Sequence, residues 1–247
     1  MSKASEPQSQ HGNWFATTHW NLVLAAASTS DPSSRSAMES LCRAYWYPLY
    51  AFVRRQGNDP HQAKDLTQAF FERFLEREFF RGVDRSKGRF RSFLLACLRH
   101  FLADERDRMR ALKRGAGQAL VPLDDAVAEG RYVAIADTAL QPDQVYEREW
   151  LYAVLDRARE RLRGEYAATG KGSLFDCLSC QRGTAEAGLT YAELGYRLGK
   201  TEKAIRLEAY RLRQRYHQLV REEIAQTVSD PAELEEEIRY LLGVIRG

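Results

Sequence analysis

Apolar residues recur along most of this chain at the three- and four-residue intervals of amphipathic helices. From Ser36 to Arg55, Leu41, Tyr45, Leu49, Phe52 and Val53 line one side, and Pro48 predicts a kink rather than an end because the pattern runs straight through it. Gly57, Asn58, Asp59 and Pro60 close that helix and open another, from His61 to about Arg77, which carries Ala63, Leu66, Phe70, Phe71, Phe74 and Leu75. A third runs from Phe90 to about Leu112, with Phe93, Leu94, Cys97, Leu98, Phe101 and Leu102 in one stripe. Its second half, DERDRMRALKRG, turns almost wholly polar and basic. Ahead of these helices the polar first dozen residues predict disorder, and Trp14 to Ala27 holds enough aromatic and aliphatic residues to dock as a short helix.

The periodicity fails from Gly115 to Gln144, where small and acidic residues dominate and Pro122, Gly130 and Pro142 punctuate the chain as in a linker. It resumes at Val145. Trp150, Leu151, Val154, Leu155, Ala158 and Leu162 predict a long helix ended by Gly170, Lys171 and Gly172, and residues 173–180 supply a short one. Thr190 to Val220 then reads as a helix-turn-helix. Ala192, Leu194 and Leu198 give its first helix an apolar face, and Gly199 permits a positive φ at the turn. Thr201 with Glu202 begins the second helix, in which Ala204, Ile205, Leu212 and Leu219 point inward. After Val228, Ser229, Asp230 and Pro231 comes a final acidic helix with Leu234, Ile238, Leu241, Leu242 and Ile245 on one side, expected to cap the second domain.

The expected fold class is all-α: two small helical domains joined by a flexible linker, the second a helix-turn-helix, followed by a C-terminal amphipathic helix. The expected divisions are an N-terminal extension over 1–35, a first domain over 36–114, a linker over 115–144, a second domain over 145–221 and an acidic helix over 222–247.

Net charge adds little to this picture until it is divided. The 247 residues sum to only +3. Yet Arg85 to Arg114 holds ten Lys/Arg against three acids, Lys200 to Arg221 holds seven against two, and Glu222 to Gly247 holds two against seven. Two basic blocks and an acidic tail cancel, and basic helical faces suit a partner lined with phosphates as well as they suit water.

No apolar run approaches the roughly 18 residues of a membrane span, and the opening MSKASEPQSQHGN lacks the basic and apolar parts of a signal peptide, so a cytoplasmic protein is expected. Cys42 and Cys97 sit in apolar helical patterns as small buried residues; Cys177 and Cys180 form one CxxC with no second ligand pair. Neither a metal nor another cofactor is expected. Nor is an enzyme, for the chain has no phosphate-binding glycine loop, HExxH motif or nucleophile elbow.

The order of parts resembles the extracytoplasmic-function class of bacterial RNA polymerase sigma factors. LCRAYWYPLYAFVRR, DLTQAFFERFLE and GRFRSFLLACLRHFLADERDR look like the promoter-melting domain, and YAELGYRLG followed by TEKAIRLEAYRLRQRY looks like the helix-turn-helix. The likeness covers about residues 36 to 221, with two separate motifs in the family's order.

Such a protein must hold an opened DNA strand, which basic grooves with aromatic pockets do by gripping phosphates and accepting unstacked bases. The resemblance assigns that work, at the minus-10 element, to the loop and helix carrying Phe79, Phe80, Arg81, Arg85, Lys87, Arg89, Phe90 and Arg91, and to Arg99, His100, Arg106, Arg108 and Arg110 along the helix. Phe79, Phe80 and Phe90 fit a core as readily as a base pocket. The second domain is expected to place Glu202, Lys203, Arg206 and Tyr210 in the major groove of the minus-35 element, with Arg211, Arg213 and Arg215 on phosphates. The partners implied are promoter DNA and core RNA polymerase, the latter through its β′ clamp helices and β flap, with no membrane contact. Asp65, Gln68 and Phe71 are the expected polymerase contacts.

Two features depart from the family. Phe93 stands where a tryptophan is common, and Gln62, Ala63, Lys64 and Asp65 replace a cluster of acids. Thr67 stands directly after Leu66, and its phosphorylation would supply about −1.5 to −2 charges there. A Ser/Thr kinase, an anti-sigma protein and the acidic tail are the candidate regulators, and a polar surface threonine is the alternative reading of Thr67. In the family the linker threads the polymerase, where Asp124, Asp125, Glu129 and Asp137 could imitate nucleic acid. A dimeric helix-turn-helix regulator acting without polymerase would account for the second domain and leave the first without a role.

Overall fold

The computed structural model describes residues 32–75, 89–112, 128–132, 139–180, 189–228 and 230–246. Among them every regular element is a helix: α1 Pro32–Arg55, α2 Pro60–Leu75, α3 Phe90–Leu112, a short α4 over 128–132, α5 Pro142–Ala168, α6 Gly172–Cys180, α7 Tyr191–Leu198, α8 Glu202–Ala225 and α9 Leu234–Arg246. The fold class is all-α, as the periodicity requires. The Trp14 to Ala27 segment and the loop over 76–88 lie outside the described residues.

Helix α1 continues through Pro48 without an end, because Tyr45, Leu49, Phe52 and Val53 are wholly or almost wholly buried on its inner side. Proline opens both α2 and α5, at the position where the missing N–H has no helical partner to lose. Gly57 at φ +92° and Gly170 at φ +69° end α1 and α5.

The chain divides into two compact units: residues 1–150 with 225–247, and residues 151–224. Neither boundary falls where the charge and periodicity pattern placed it. The first turns of α5 and the whole C-terminal segment belong with α1 to α3. The tail, expected to cap the second domain, is grouped from Ala225 onward with the first unit. Its helix also turns differently from the apolar stripe: Leu241 is buried, Leu242 is half exposed, and Glu237 is fully enclosed.

In the first unit Tyr45, Leu49, Phe52, Phe70, Phe74, Phe90, Leu94 and Phe101 are buried, as are Tyr146 and Trp150 of α5. Each large apolar side chain enclosed there contributes about 1.5–3 kcal/mol. Phe70 sits edge-on to Phe101 at 5.8 Å, and Tyr45 edge-on to Phe90 at 5.5 Å. The part of the expected linker that is described is held here too. Glu129 of α4 receives Arg54 at 2.6 Å and the Tyr50 hydroxyl at 2.7 Å. Arg131 lies over the Tyr47 ring at 4.2 Å and Arg54 over the Tyr132 ring at 4.5 Å. Glu129 is thus occupied by its own chain, while Asp124, Asp125 and Asp137 lie outside the described residues.

The second unit packs Ala158, Leu162, Leu174, Phe175, Leu178, Leu194, Ile205, Ala209, Leu212 and Leu219 into one core.

Candidate nucleic-acid interface

Helix α7 starts on a capping box. The Thr190 hydroxyl accepts the Glu193 N–H at 3.2 Å, and the Glu193 carboxylate accepts the Thr190 N–H at 2.6 Å. That backbone bond, with the Thr190 hydroxyl, holds the Glu193 carboxyl below the usual carboxylate range. The helix ends at Gly199, φ +63°, where the Lys200 N–H reaches the Gly195 carbonyl at 2.8 Å. Gly195 meets a tighter demand: a Cβ there would stand 2.6 Å from the Lys200 carbonyl oxygen. Of the inner face expected for α7, Leu194 is buried, Leu198 is half-buried and Ala192 is exposed, while Gly195 is buried beside Leu194.

The short turn sends α8 away with Ile205, Ala209, Leu212 and Leu219 buried. At about 100° per residue the opposite midline carries Lys203, Leu207, Tyr210 and Gln214, all exposed. Arg206 and Arg213 border it on one side and Arg211 on the other. Arg206 is steadied by Glu202, which accepts its Nε at 2.9 Å, and it stacks toward Tyr191 at 5.8 Å. Arg213 rests on the Tyr191 hydroxyl at 3.4 Å and Arg211 near Glu208 at 3.6 Å. Lys203 enters no ion pair among the described residues. Leu207 had no place in the sequence reading, yet it is 48% exposed in the middle of this cationic surface.

Arg215 is a correction. Both its Nε and a terminal nitrogen bond Glu165, at 2.8 and 2.6 Å, and it also reaches Glu222 at 3.3 Å. The Glu165 hydrogen bond raises the arginine's pKa and lowers the carboxylate's. It fastens α8 to α5 and is not left over for phosphate.

The first-unit residues divide sharply. Phe80, Arg81, Arg85 and Lys87 lie outside the described residues, as does the side chain of Arg110. Phe90 is wholly buried and is a core residue, not a base pocket. Arg91 is 2% exposed, with Glu237 at 2.8 Å and Glu147 at 2.9 Å. Burial opposes its charge, but these two carboxylates more than offset that and raise its pKa. Arg89 bonds the same Glu237 at 2.6 Å. Arg99 is paired with Asp143. On the rest of α3, His100, Arg106 and Arg108 are exposed, but Asp104, Glu105 and Asp107 share those turns, and Arg108 lies 3.4 Å from Glu105. That stretch presents mixed charge rather than a basic face.

On α2, Asp65 is exposed and Gln68 donates to Glu72 at 3.0 Å. Phe71 is buried against Phe70, so it does not form part of a contact surface. Thr67 is also a correction: it has no exposed surface, and its hydroxyl donates to the Ala63 carbonyl at 2.7 Å. A kinase cannot reach it while α2 stays folded. Cys42, Cys97 and Cys177 are half-buried rather than fully enclosed and are in no disulfide, and burial pushes the Cys97 thiol up to about 11.

Sequence reasoning missed the groups that occupy the arginines: Glu237, Glu147 and Tyr240. An acid among apolar residues on an amphipathic helix was the available signal. Among the described residues no helix is long and apolar enough to cross a membrane. No family model, curated protein or solved structure matches this chain.

Proposed function

We propose that this chain is a sigma factor of the extracytoplasmic-function class, acting in the cytoplasm to bring core RNA polymerase to promoters. The observation that carries the proposal is the outer face of α8. A helix fixed by a buried opposite side, a glycine turn and a capped α7 presents Lys203, Leu207, Tyr210 and Gln214 along its midline, with arginines on both borders. That spacing suits a major groove, in which a helix reads base edges with its centre and meets a phosphate backbone on either side.

In this reading Lys203 with Glu202 and Arg206 addresses base edges of the minus-35 element, and Arg211 and Arg213 take phosphates. The first unit serves polymerase through the exposed side of α2, with Asp65 and Glu72 against the basic β′ clamp helices, and it holds the opened strand near the start of α3. The second unit meets the β flap. Support for the first unit's role comes from the order of the two sequence motifs.

The test is association and transcription with purified core polymerase. Co-elution with core and a run-off transcript from a promoter selected by the chain are the expected results. A chain that ignores core polymerase, doubles its mass in solution and footprints DNA alone would be a dimeric helix-turn-helix regulator instead.

A further inference from the structure

The C-terminal segment is built into the start of α3. Its Thr227 carbonyl accepts the Phe90 N–H at 3.1 Å. Glu237, with no exposed surface, receives Arg89 Nε at 2.6 Å and Arg91 Nε at 2.8 Å. Arg91 extends to Glu147 at 2.9 Å, and the Tyr240 hydroxyl donates to the same Glu147 at 2.6 Å. The Tyr240 ring lies 5.5 Å from the Arg89 guanidinium and 5.1 Å from that of Arg91.

Two guanidiniums converging on one carboxylate reproduce the way two arginines hold a phosphodiester, whose free oxygens accept the same charged hydrogen bonds. A flat ring against those guanidiniums offers what a stacked base offers. We infer that Glu237 and Tyr240 imitate a nucleotide, filling a single-strand site at Arg89 and Arg91, so that α9 must leave before this site holds DNA.

The inference rests on the strand-holding role proposed above for the start of α3. Release is feasible because Arg91 keeps Glu147 when Glu237 departs, so its charge is not stranded. It has an edge from which to begin: Arg89 is 25% exposed, and Glu236, 3.9 Å from it, is 73% exposed. A strand entering there meets the weakest part of the cluster first.

Fluorescence anisotropy of a labelled oligothymidylate on the full chain tests it. Glu237→Gln, which removes the charge and keeps the volume, is expected to tighten binding about tenfold, and Tyr240→Ala about threefold. Adding Arg89→Ala to Glu237→Gln should cancel the gain, which separates this site from α8. Melting is recorded for every variant. If Glu237→Gln is unfolded at the assay temperature, Glu236→Gln on the exposed edge carries the test with a gain of about twofold. In the wild type, hydrogen exchange of residues 234–246 should accelerate when the oligonucleotide binds. Binding that leaves this exchange unchanged, or variants that bind no tighter than wild type, overturns the inference and leaves the strand-holding role standing. If neither wild type nor variants bind the oligonucleotide at low salt, the strand-holding role falls and the inference with it.

Discussion

The start of α3 and the outer face of α8 look alike as sequence, both dense in arginine beside aromatic residues, and the structure treats them in opposite ways. At α3, Arg89 and Arg91 are folded against Glu237 and Glu147, and Phe90 is core. At α8, Lys203, Arg206, Arg211 and Arg213 stay on the surface, and only Arg215 is drawn into a pair across to α5. A run of cations therefore says little about availability. What decides is whether another element brings a carboxylate into the same small volume.

The sharpest way to break that contrast is at Arg91. Replacing it with alanine leaves Glu237 enclosed with half of its counter-charge, which should lower unfolding free energy by about 3–5 kcal/mol in urea titration. A loss below about 1 kcal/mol would mean the pair is solvated and the two regions differ less than they appear. Gly195→Ala comes next. Its Cβ would press on the Lys200 carbonyl at 2.6 Å, for an expected loss of about 1–3 kcal/mol, together with weaker duplex binding because the turn positions α8. Thr190→Ala removes the cap of α7 and should cost about 1 kcal/mol in the same titration, with Thr190→Ser restoring most of it.

Smaller effects sharpen the comparison within α8 itself. Arg213→Ala should leave stability within about 0.5 kcal/mol and lower the salt slope of duplex binding by about one. Arg215→Ala should do the reverse, reducing stability while the slope stays unchanged. Equal slopes for both variants would place Arg213 off the DNA. The Glu129 clasp offers a pH test. Arg54, with Tyr50, holds that carboxyl below the usual range. Its contribution is therefore present above the unfolded value near about 4.3 and disappears as pH falls through the lower folded value. Glu129→Gln should flatten the acid limb of a stability–pH curve.

Much of this was legible in the residues. The helical period gave α3 at its observed ends, the starts of α2 and α5 within a few residues, and the existence of α1 and α8, which extend to Pro32 and Ala225 beyond the expected Ser36 and Val220. Gly199 marked the turn, and Ile205, Leu212 and Leu219 named the inner face of α8. Other features were not. Thr67 turned inward where a surface was expected, because α2 is covered more widely than its apolar stripe implies, and Phe71, a member of that stripe, is buried rather than left for a partner. Gly195 gave no sign, since its necessity comes from a carbonyl five residues later that approaches only once the turn has formed.

The sequence by itself determined the all-α class, the succession of helices and the turn before α8, because period, caps and glycine act over a few neighbouring residues. The tertiary structure decided which arginines face outward. Arg91 meets Glu237 across 146 residues of chain, Arg215 meets Glu165 across 50, and a charged side chain in a sequence carries no mark of whether water or a distant carboxylate will receive it.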